Sequence, residues 1–205
     1  MGTDKRNELL TTYTSDVHAL ILHGHAAIAR QVENLKNVSH ADAKSTVVEL
    51  ERVLAGQKTT IESRIKALGG SVTQPVKDAV AAVAGVAAGL INAVRASETA
   101  KSIRDDHTFF SQLGVAWLMM HTTAQSLGDT ETAMVAERGY RETAKCIMHI
   151  DKVLPKIVVE EIREHVKTAT DATELTRAMM KTAWNREAAT LGGASPGSAS
   201  QPTHS

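Results

Sequence analysis

The residues best able to do chemistry in this chain are its nine histidines and the carboxylates near them. A di-iron site in a helical bundle needs glutamates and Glu-x-x-His pairs that project inward from the helices. No Glu-x-x-His sequence occurs in the four main predicted helices. His107 and His121 share one helix face but lie ~21 Å apart along it, at about 1.5 Å per residue. The histidines are therefore predicted to be surface residues and not ligands of one ion.

Two glutamines stand at inward positions where a metal centre would need carboxylates. Gln31 falls on the apolar stripe of the first predicted helix, and Gln57 falls on that of the second. Neutral amides are poor ligands for iron, whereas an amide in a core requires a hydrogen-bond partner. We therefore predict a buried polar pair, Gln31 and Gln57, bonded to each other or to water. No inward carboxylate is expected on the third and fourth helices.

Other patterns typical of enzymes are missing from the sequence. It contains no glycine-rich phosphate loop, no Gly-x-Ser-x-Gly elbow and no basic cluster with aromatic residues. Cys146 is the single cysteine, which excludes an intramolecular disulfide and a cysteine-rich metal site. It is predicted to be a small core or boundary residue. These observations argue against an enzyme and predict no catalytic residue.

Apolar residues that recur every three or four positions predict two helical hairpins. In the first, Val17–Leu35 pairs with Val47–Leu68 across a loop near Ser39. In the second, Phe109–Leu127 pairs with Ala133–Leu154. The sequence therefore predicts an all-α fold, with these four helices packed around one core.

Residues at the helix ends predict where the helices begin and stop. The first helix is expected to begin near Lys5, and Gly69 suits a left-handed cap after the second. Asp129 or Thr130 is expected to cap the fourth helix, which should end or kink at Pro155. Its stripe is predicted to consist of Ala133, Ala136, Tyr140, Ile147, Ile150 and Leu154.

The segment Ala79–Val94 is the most apolar part of the chain. It holds about sixteen residues, interrupted by Asn92, against the roughly twenty that a membrane span requires. We therefore predict a long, buried crossover helix between the hairpins, with a membrane segment as the alternative.

A final helix is predicted after a threonine-rich joint. Asp171 and Glu174 form a capping-box-like pair, and the helix should reach about Ala189. Its apolar residues must be covered by its own bundle or by another subunit. We expect a partner chain, most simply a second copy in a symmetric dimer. The predicted association residues are Leu175, Met179 and Trp184.

Composition limits the class of protein. The 205 residues are 42% apolar and 22% charged, which is ordinary for a soluble globular domain. The formal net charge is zero, which argues against nucleic-acid binding through a general basic field. No apolar run precedes the first helix, so a cytoplasmic location is expected. The predicted units are a bundle over 1–168, an appended helix over 169–190 and a disordered tail over 191–205.

The second hairpin resembles that of bacterial ferritin-like proteins, an uncharacterised, stress-associated group. The resemblance rests on Arg104–Ala124, including Phe109-Phe110 and Met120-His121-Thr122-Thr123-Ala124, followed by Leu127–Ala133. The first hairpin, with Tyr13-Thr14-Ser15-Asp16 and Gly69-Gly70, is compatible with the group. The similarity covers roughly residues 8 to 160. It implies a ferritin-like four-helix bundle of two hairpins joined by a long apolar crossover helix.

The resemblance also implies where a metal site would lie. Metal-binding members would carry glutamate in helix 1, glutamate and histidine in helix 2, and the same in helices 3 and 4. In this chain, Ala55–Thr59 occupies the part of helix 2 where ligands are expected. The nearest residues for an atypical iron site are Asp16, His23, Asp106, His107 and Glu142.

Three functions remain open from the sequence. The first is a metal-free, non-catalytic bundle that acts as a stress-associated structural or interaction protein and self-associates. The second is an iron-binding relative with the atypical site. The third is a membrane-surface or lipid-binding bundle that exposes Ala79–Val94. We predict the first, with no stoichiometric iron, which elemental analysis of the purified protein would test.

Overall fold

The computed structural model describes residues 2–37, 40–72 and 99–190. All regular structure within these ranges is helical. The predicted crossover helix, Ala79–Val94, and the predicted disordered tail, 191–205, lie outside the described residues. The helices are α1 (Gly2–Asn34), α2 (Ala41–Ala67), α3 (Thr99–Ser126), α4 (Thr130–His165) and α5 (Thr173–Thr190). The predicted all-α fold is confirmed.

The first four helices pack side by side, and each neighbouring pair is antiparallel. His25 of α1 contacts Glu51 of α2, and the earlier His18 contacts the later Glu62. Helix α2 is likewise antiparallel to α4, since Arg64 near the end of α2 bonds Thr132 near the start of α4. At the other end, Ala100 at the start of α3 donates its backbone N–H to Glu161 near the end of α4.

This packing gives each helix a direction. Helices α1 and α4 run one way, and α2 and α3 run the other. The C-terminal end of α2 lies beside the start of α4, where Arg64 meets Thr132. The start of α3 lies beside the end of α4, where Ala100 meets Glu161. The end of α2 and the start of α3 therefore lie at opposite ends of the bundle. Residue 72, shortly after α2, and residue 99, the first of α3, are accordingly at opposite ends as well.

Two glycines let helices approach closely around large aromatic rings. A Cβ atom at Gly24 of α1 would lie 2.0 Å from Cζ of Phe109, and one at Gly139 of α4 would lie 2.3 Å from Cε2 of Trp117. Both rings are buried, so neither can move away without disturbing its neighbours. The largest fully buried side chains include Leu10, Ile21, Ile28, Leu50, Leu54, Ile61, Ile103, Phe110, Leu113, Trp117, Met120 and Ile150.

The helix ends agree with the predictions in part. Gly69 has φ 81°, as the predicted left-handed cap requires. Asp129 caps α4 by accepting a hydrogen bond from the backbone N–H of Thr132 at 2.8 Å. Of the two outcomes predicted for Pro155, an end of the fourth helix is wrong, because α4 continues to His165. Burial of Ile157 beyond the proline favours that continuation, despite the hydrogen bond that the proline cannot donate.

The inward stripe of α4 differs from the predicted one at Tyr140, which is 38% exposed. The buried positions beside it are Gly139, Thr143 and Cys146. Gly139 accommodates the indole of Trp117, so this side of α4 faces the core and Tyr140 is turned toward the surface.

Helix α5 folds back along α4 of its own chain. Arg177 donates from Nε and Nη2 to the backbone carbonyl of Lys152, at 2.9 and 2.7 Å. Thr173 at the start of α5 is buried. The three predicted association residues nevertheless stay exposed, with Leu175 at 66%, Met179 at 58% and Trp184 at 68%. Contact with α4 therefore leaves Leu175 and Met179, one turn apart on one face of α5, uncovered.

In the described ranges, we find no helix that combines the length and apolar character needed to cross a membrane.

Candidate functional site

A buried polar contact joins α1 to α3. Gln31 Nε2 donates to Asp106 Oδ1 at 2.8 Å, and the two residues are 6% and 4% exposed. Gln31 Oε1 and Asp106 Oδ2 are also buried, and neither finds a partner among the described residues. The prediction that the third helix has no inward carboxylate is wrong. Asp106 follows Ile103 by three residues and precedes Phe110 by four, so it lies on the buried face.

Burial changes the ionisation of this carboxyl group. Desolvation raises the pKa of Asp106 to about 7, since a carboxylate in a core loses its hydration. The hydrogen bond from Gln31 opposes the shift, and the nearby charge of Asp105 adds to it. Near neutral pH, Asp106 is therefore divided between the neutral and charged forms.

A second buried polar contact joins α2 to α4. Gln57 Nε2 donates to the carbonyl oxygen of Gly139 at 3.1 Å and to Thr143 Oγ1 at 3.2 Å. Gln57 Oε1 and Trp117 Nε1 are buried without a hydrogen-bond partner in the described part of the chain. The two glutamines thus bond to different helices and not to each other.

These two polar contacts lie at different heights in the bundle. Asp106 is next to His107, which contacts Asp151 of α4 at 3.2 Å. Gln57 reaches α4 at Thr143, eight residues earlier. At about 1.5 Å per residue the two heights differ by ~12 Å, so one metal ion cannot contact both.

The residues suggested for an atypical iron site are not brought together. His23 is eight residues from Gln31 on α1, or ~12 Å along the helix, and Asp16 is farther still. Asp16 is partly buried, and desolvation raises its pKa. Asp106 and His107 lie at the height of Gln31, whereas Glu142 pairs with Arg138 at 2.9 Å. No three histidine, cysteine or acidic side chains within the described ranges gather closely enough to hold a metal ion.

Most histidines for which the structure gives a partner join two helices. The sequence predicted mainly surface positions, but His18 and His40 are only 8% and 7% exposed. In each pair, a histidine ring contacts a carboxylate of another helix. The resulting hydrogen bond or ion pair stabilises the packing of the two helices. The pairs are His18–Glu62, His25–Glu51, His40–Glu160 and His107–Asp151, at 2.8 to 3.3 Å.

Cys146 is buried beneath a groove of about 510 Å³ between α2 and α4. Burial, together with the charges of Glu49 and Glu142, raises the pKa of its thiol to about 12, while the charge of Arg52 opposes the shift. The reactive form of cysteine is the thiolate, which is almost absent at such a pKa. Cys146 is therefore a packing residue and not a nucleophile.

A cluster of polar side chains around Arg64, where α2 ends and α4 begins, was not predicted from the sequence. Arg64 of α2 is buried and donates from Nε to Thr132 Oγ1 at 2.7 Å. Its Nη2 donates to both carboxylate oxygens of Asp129, at 2.8 and 2.9 Å, and Nη1 bonds Glu131. Burial opposes ionisation of Asp129, but the Thr132 hydrogen bonds and the Arg64 charge hold its pKa below the usual value. The spacing of Arg64 from Ile61, on the buried stripe, was the available signal.

Comparison with known proteins shows similarity in fold alone. No protein-family model matches the sequence, and no curated protein matches it. A crystal structure of a protein from Xanthomonas campestris pv. campestris is similar, with a TM-score of 0.63. The match has 16% sequence identity and covers 79% of this chain and 99% of the Xanthomonas protein.

The buried Gln31–Asp106 contact should contribute measurably to stability. We expect Gln31→Leu to lower the free energy of unfolding by about 1–3 kcal/mol, because Asp106 Oδ1 loses its donor in the core. Urea denaturation at pH 7 measures the change. Gln125→Leu is the matched control, since Gln125 is exposed on the same bundle. Equal stability of the Gln31→Leu variant and the wild type would contradict the buried contact.

Proposed function

We propose that this chain is a ferritin-like helical bundle and, as the sequence resemblance suggests, a stress-associated structural or interaction protein. The directions of α1 to α4 support the first part. The antiparallel hairpins α1–α2 and α3–α4, with α2 and α3 parallel, match bundles that have one long crossover connection. The core contacts, Gln31–Asp106 and Gln57–Thr143, support packing more than catalysis.

The protein self-associates through the exposed face of α5. The observation that carries this proposal is the exposure of Leu175 and Met179, at 66% and 58%, one turn apart on a helix that is already anchored to α4. The third predicted association residue, Trp184, is also exposed but lies on the side of α5 next to α4. Large apolar side chains grouped on one helix face are favourable to bury against a partner. A second copy of the same face satisfies this need in a closed, symmetric dimer.

Light scattering on the purified full chain tests self-association. The expected mass is twice the 21.9 kDa of one chain. Replacing Leu175 and Met179 together with glutamate should reduce the mass to that of a monomer, because the charges would be buried at the interface. Val48→Glu is the control, since Val48 is exposed on α2, away from α5.

Two outcomes contradict the proposal. A monomeric wild type ends the dimer hypothesis, and a dimer that survives both glutamates places its interface elsewhere. A chain that stops at Thr170 separates these cases further, because it lacks α5 and should be monomeric.

A further inference from the structure

A groove of about 630 Å³ lies between α4 and α5, beside the exposed face of α5. Its volume falls in the range of small-molecule sites, which is roughly 300–1,000 Å³. The two helices supply mainly aromatic, methionine and aliphatic side chains, and methionines adapt readily to the shape of an apolar ligand. These residues are Tyr140, Ala144, Ile147, Met148, Met180 and Trp184.

The groove carries positive charge that no described residue neutralises. Lys152 lines one end of it and Lys181 lies one turn along α5 from Arg177, and neither forms an ion pair with any described residue. Arg177 is occupied, since it bonds the Lys152 carbonyl and Glu174. The carboxylate of Asp151 is directed to His107. Two free ammonium groups therefore adjoin an apolar trough.

The length of the trough suits a single extended hydrocarbon chain. Lys152 and Tyr140 are twelve residues apart on α4, or ~18 Å at about 1.5 Å per residue. On the antiparallel α5, Trp184 lies seven residues beyond Arg177, or ~10 Å, and Lys181 lies between them, three residues before Trp184. Because helical side chains lean toward the N-terminus of their helix, Lys152 and Lys181 on these antiparallel helices lean toward each other. The apolar side chains continue along α4 toward Tyr140.

We propose that this groove binds a long-chain fatty acid. The carboxylate pairs with Lys152 and Lys181, and the acyl chain lies along Ile147 and Met148 toward Trp184. Burial of the chain supplies the main driving force, and the lysines select an acid over an uncharged lipid. This site is separate from the outward residues Leu175 and Met179.

Tryptophan fluorescence of the full chain tests the proposal with palmitate as the probe, below the concentration at which it forms micelles. Trp184 is 68% exposed, whereas Trp117 is 1% exposed. Binding should shift the emission to shorter wavelength in a saturable manner. Trp184→Phe should remove this shift while calorimetry still detects binding.

Charge reversal provides the second readout. Lys152→Glu combined with Lys181→Glu should weaken palmitate binding by about tenfold or more, since each ammonium group bonds the carboxylate. The Arg177 contact is to the main chain of residue 152, so α5 stays anchored. Lys66→Glu combined with Lys145→Glu, both outside the groove, is the control and should leave the affinity unchanged.

Three results would overturn the proposal. They are the absence of a saturable shift, equal affinity for cetyl alcohol, which has the same tail without a charge, and binding that survives the charge reversal. Light scattering on the same samples distinguishes palmitate binding from self-association. A blue shift that rises with protein concentration alone, without palmitate, would show that a second copy fills the groove instead.

Discussion

Replacement of Arg64 with alanine should lower the free energy of unfolding by about 3–5 kcal/mol, because it leaves the carboxylate of Asp129 without its buried partner. The side chains of Arg64 and Asp129 are only 9% and 14% exposed, so water does not replace the lost contacts fully. Asp129 also caps α4, and Arg64 is bonded to Thr132 in the first turn of that helix. The substitution therefore disturbs the α3–α4 turn as well as an ion pair.

Chemical denaturation measured by circular dichroism tests this expectation. Arg141→Ala is the matched control, since Arg141 is 71% exposed and pairs with Glu137 one turn away on α4. That variant should denature at the wild-type midpoint. Arg64→Lys keeps the charge but cannot bond both oxygens of Asp129 and Thr132 together, so it should fall between wild type and alanine. Equal stability of the Arg64→Ala and Arg141→Ala variants would contradict the role of the cluster.

The hairpins were predictable from the sequence because burial repeats with the helical period. Leu10, Val17, Ile28 and Gln31 of α1 are buried, and so are Leu54 and Gln57 of α2, at the spacing that an amphipathic helix requires. The same argument failed where an aromatic ring altered which face is buried. Trp117 packs on Gly139, and Tyr140 is exposed in consequence.

The partners of the buried polar groups were not predictable. Gln31 and Asp106 are 75 residues apart in sequence, and Gln57 and Thr143 are 86 apart. Such pairs depend on the relative heights of packed helices, which the period within one helix does not determine. Arg64 was missed for the same reason, since its partners lie at the start of α4.

The apolar residues of α5 show a different limit of prediction from the sequence. The sequence predicted that Leu175, Met179 and Trp184 would need cover, and the structure leaves all three exposed. It also anchors α5 to α4 through Arg177, which composition alone did not indicate. An apolar stripe predicts that a face is buried somewhere, but the location depends on contacts that only a packed structure provides.

The stability of the bundle should fall as pH rises from about 4 to about 7, through the carboxyl group of Asp106. Its pKa is about 7 in the folded chain, against an ordinary value near 3.8 in the unfolded chain. Between these values the folded state binds more protons than the unfolded state, so the free energy of unfolding decreases with pH. Below this window the proton is bound in both states, and above it in neither. At about 1.4 kcal/mol per pKa unit, the full cost of the charged form is of order 4 kcal/mol.

Asp106→Asn removes this cost, because asparagine has nearly the shape of a neutral carboxyl group and its amide oxygen still accepts from Gln31 Nε2. Urea denaturation of both proteins from pH 4 to pH 9 isolates the effect, since all other titrating groups are common to the two. We expect the variant to be more stable than wild type by several kcal/mol at pH 8, and the difference to shrink toward zero near pH 4. A difference that does not change with pH would show that Asp106 ionises as an ordinary exposed carboxyl group. A wild type that gains stability over the variant as pH rises would mean that the core stabilises the carboxylate, and the assignment of Asp106 as a desolvated acid would be wrong.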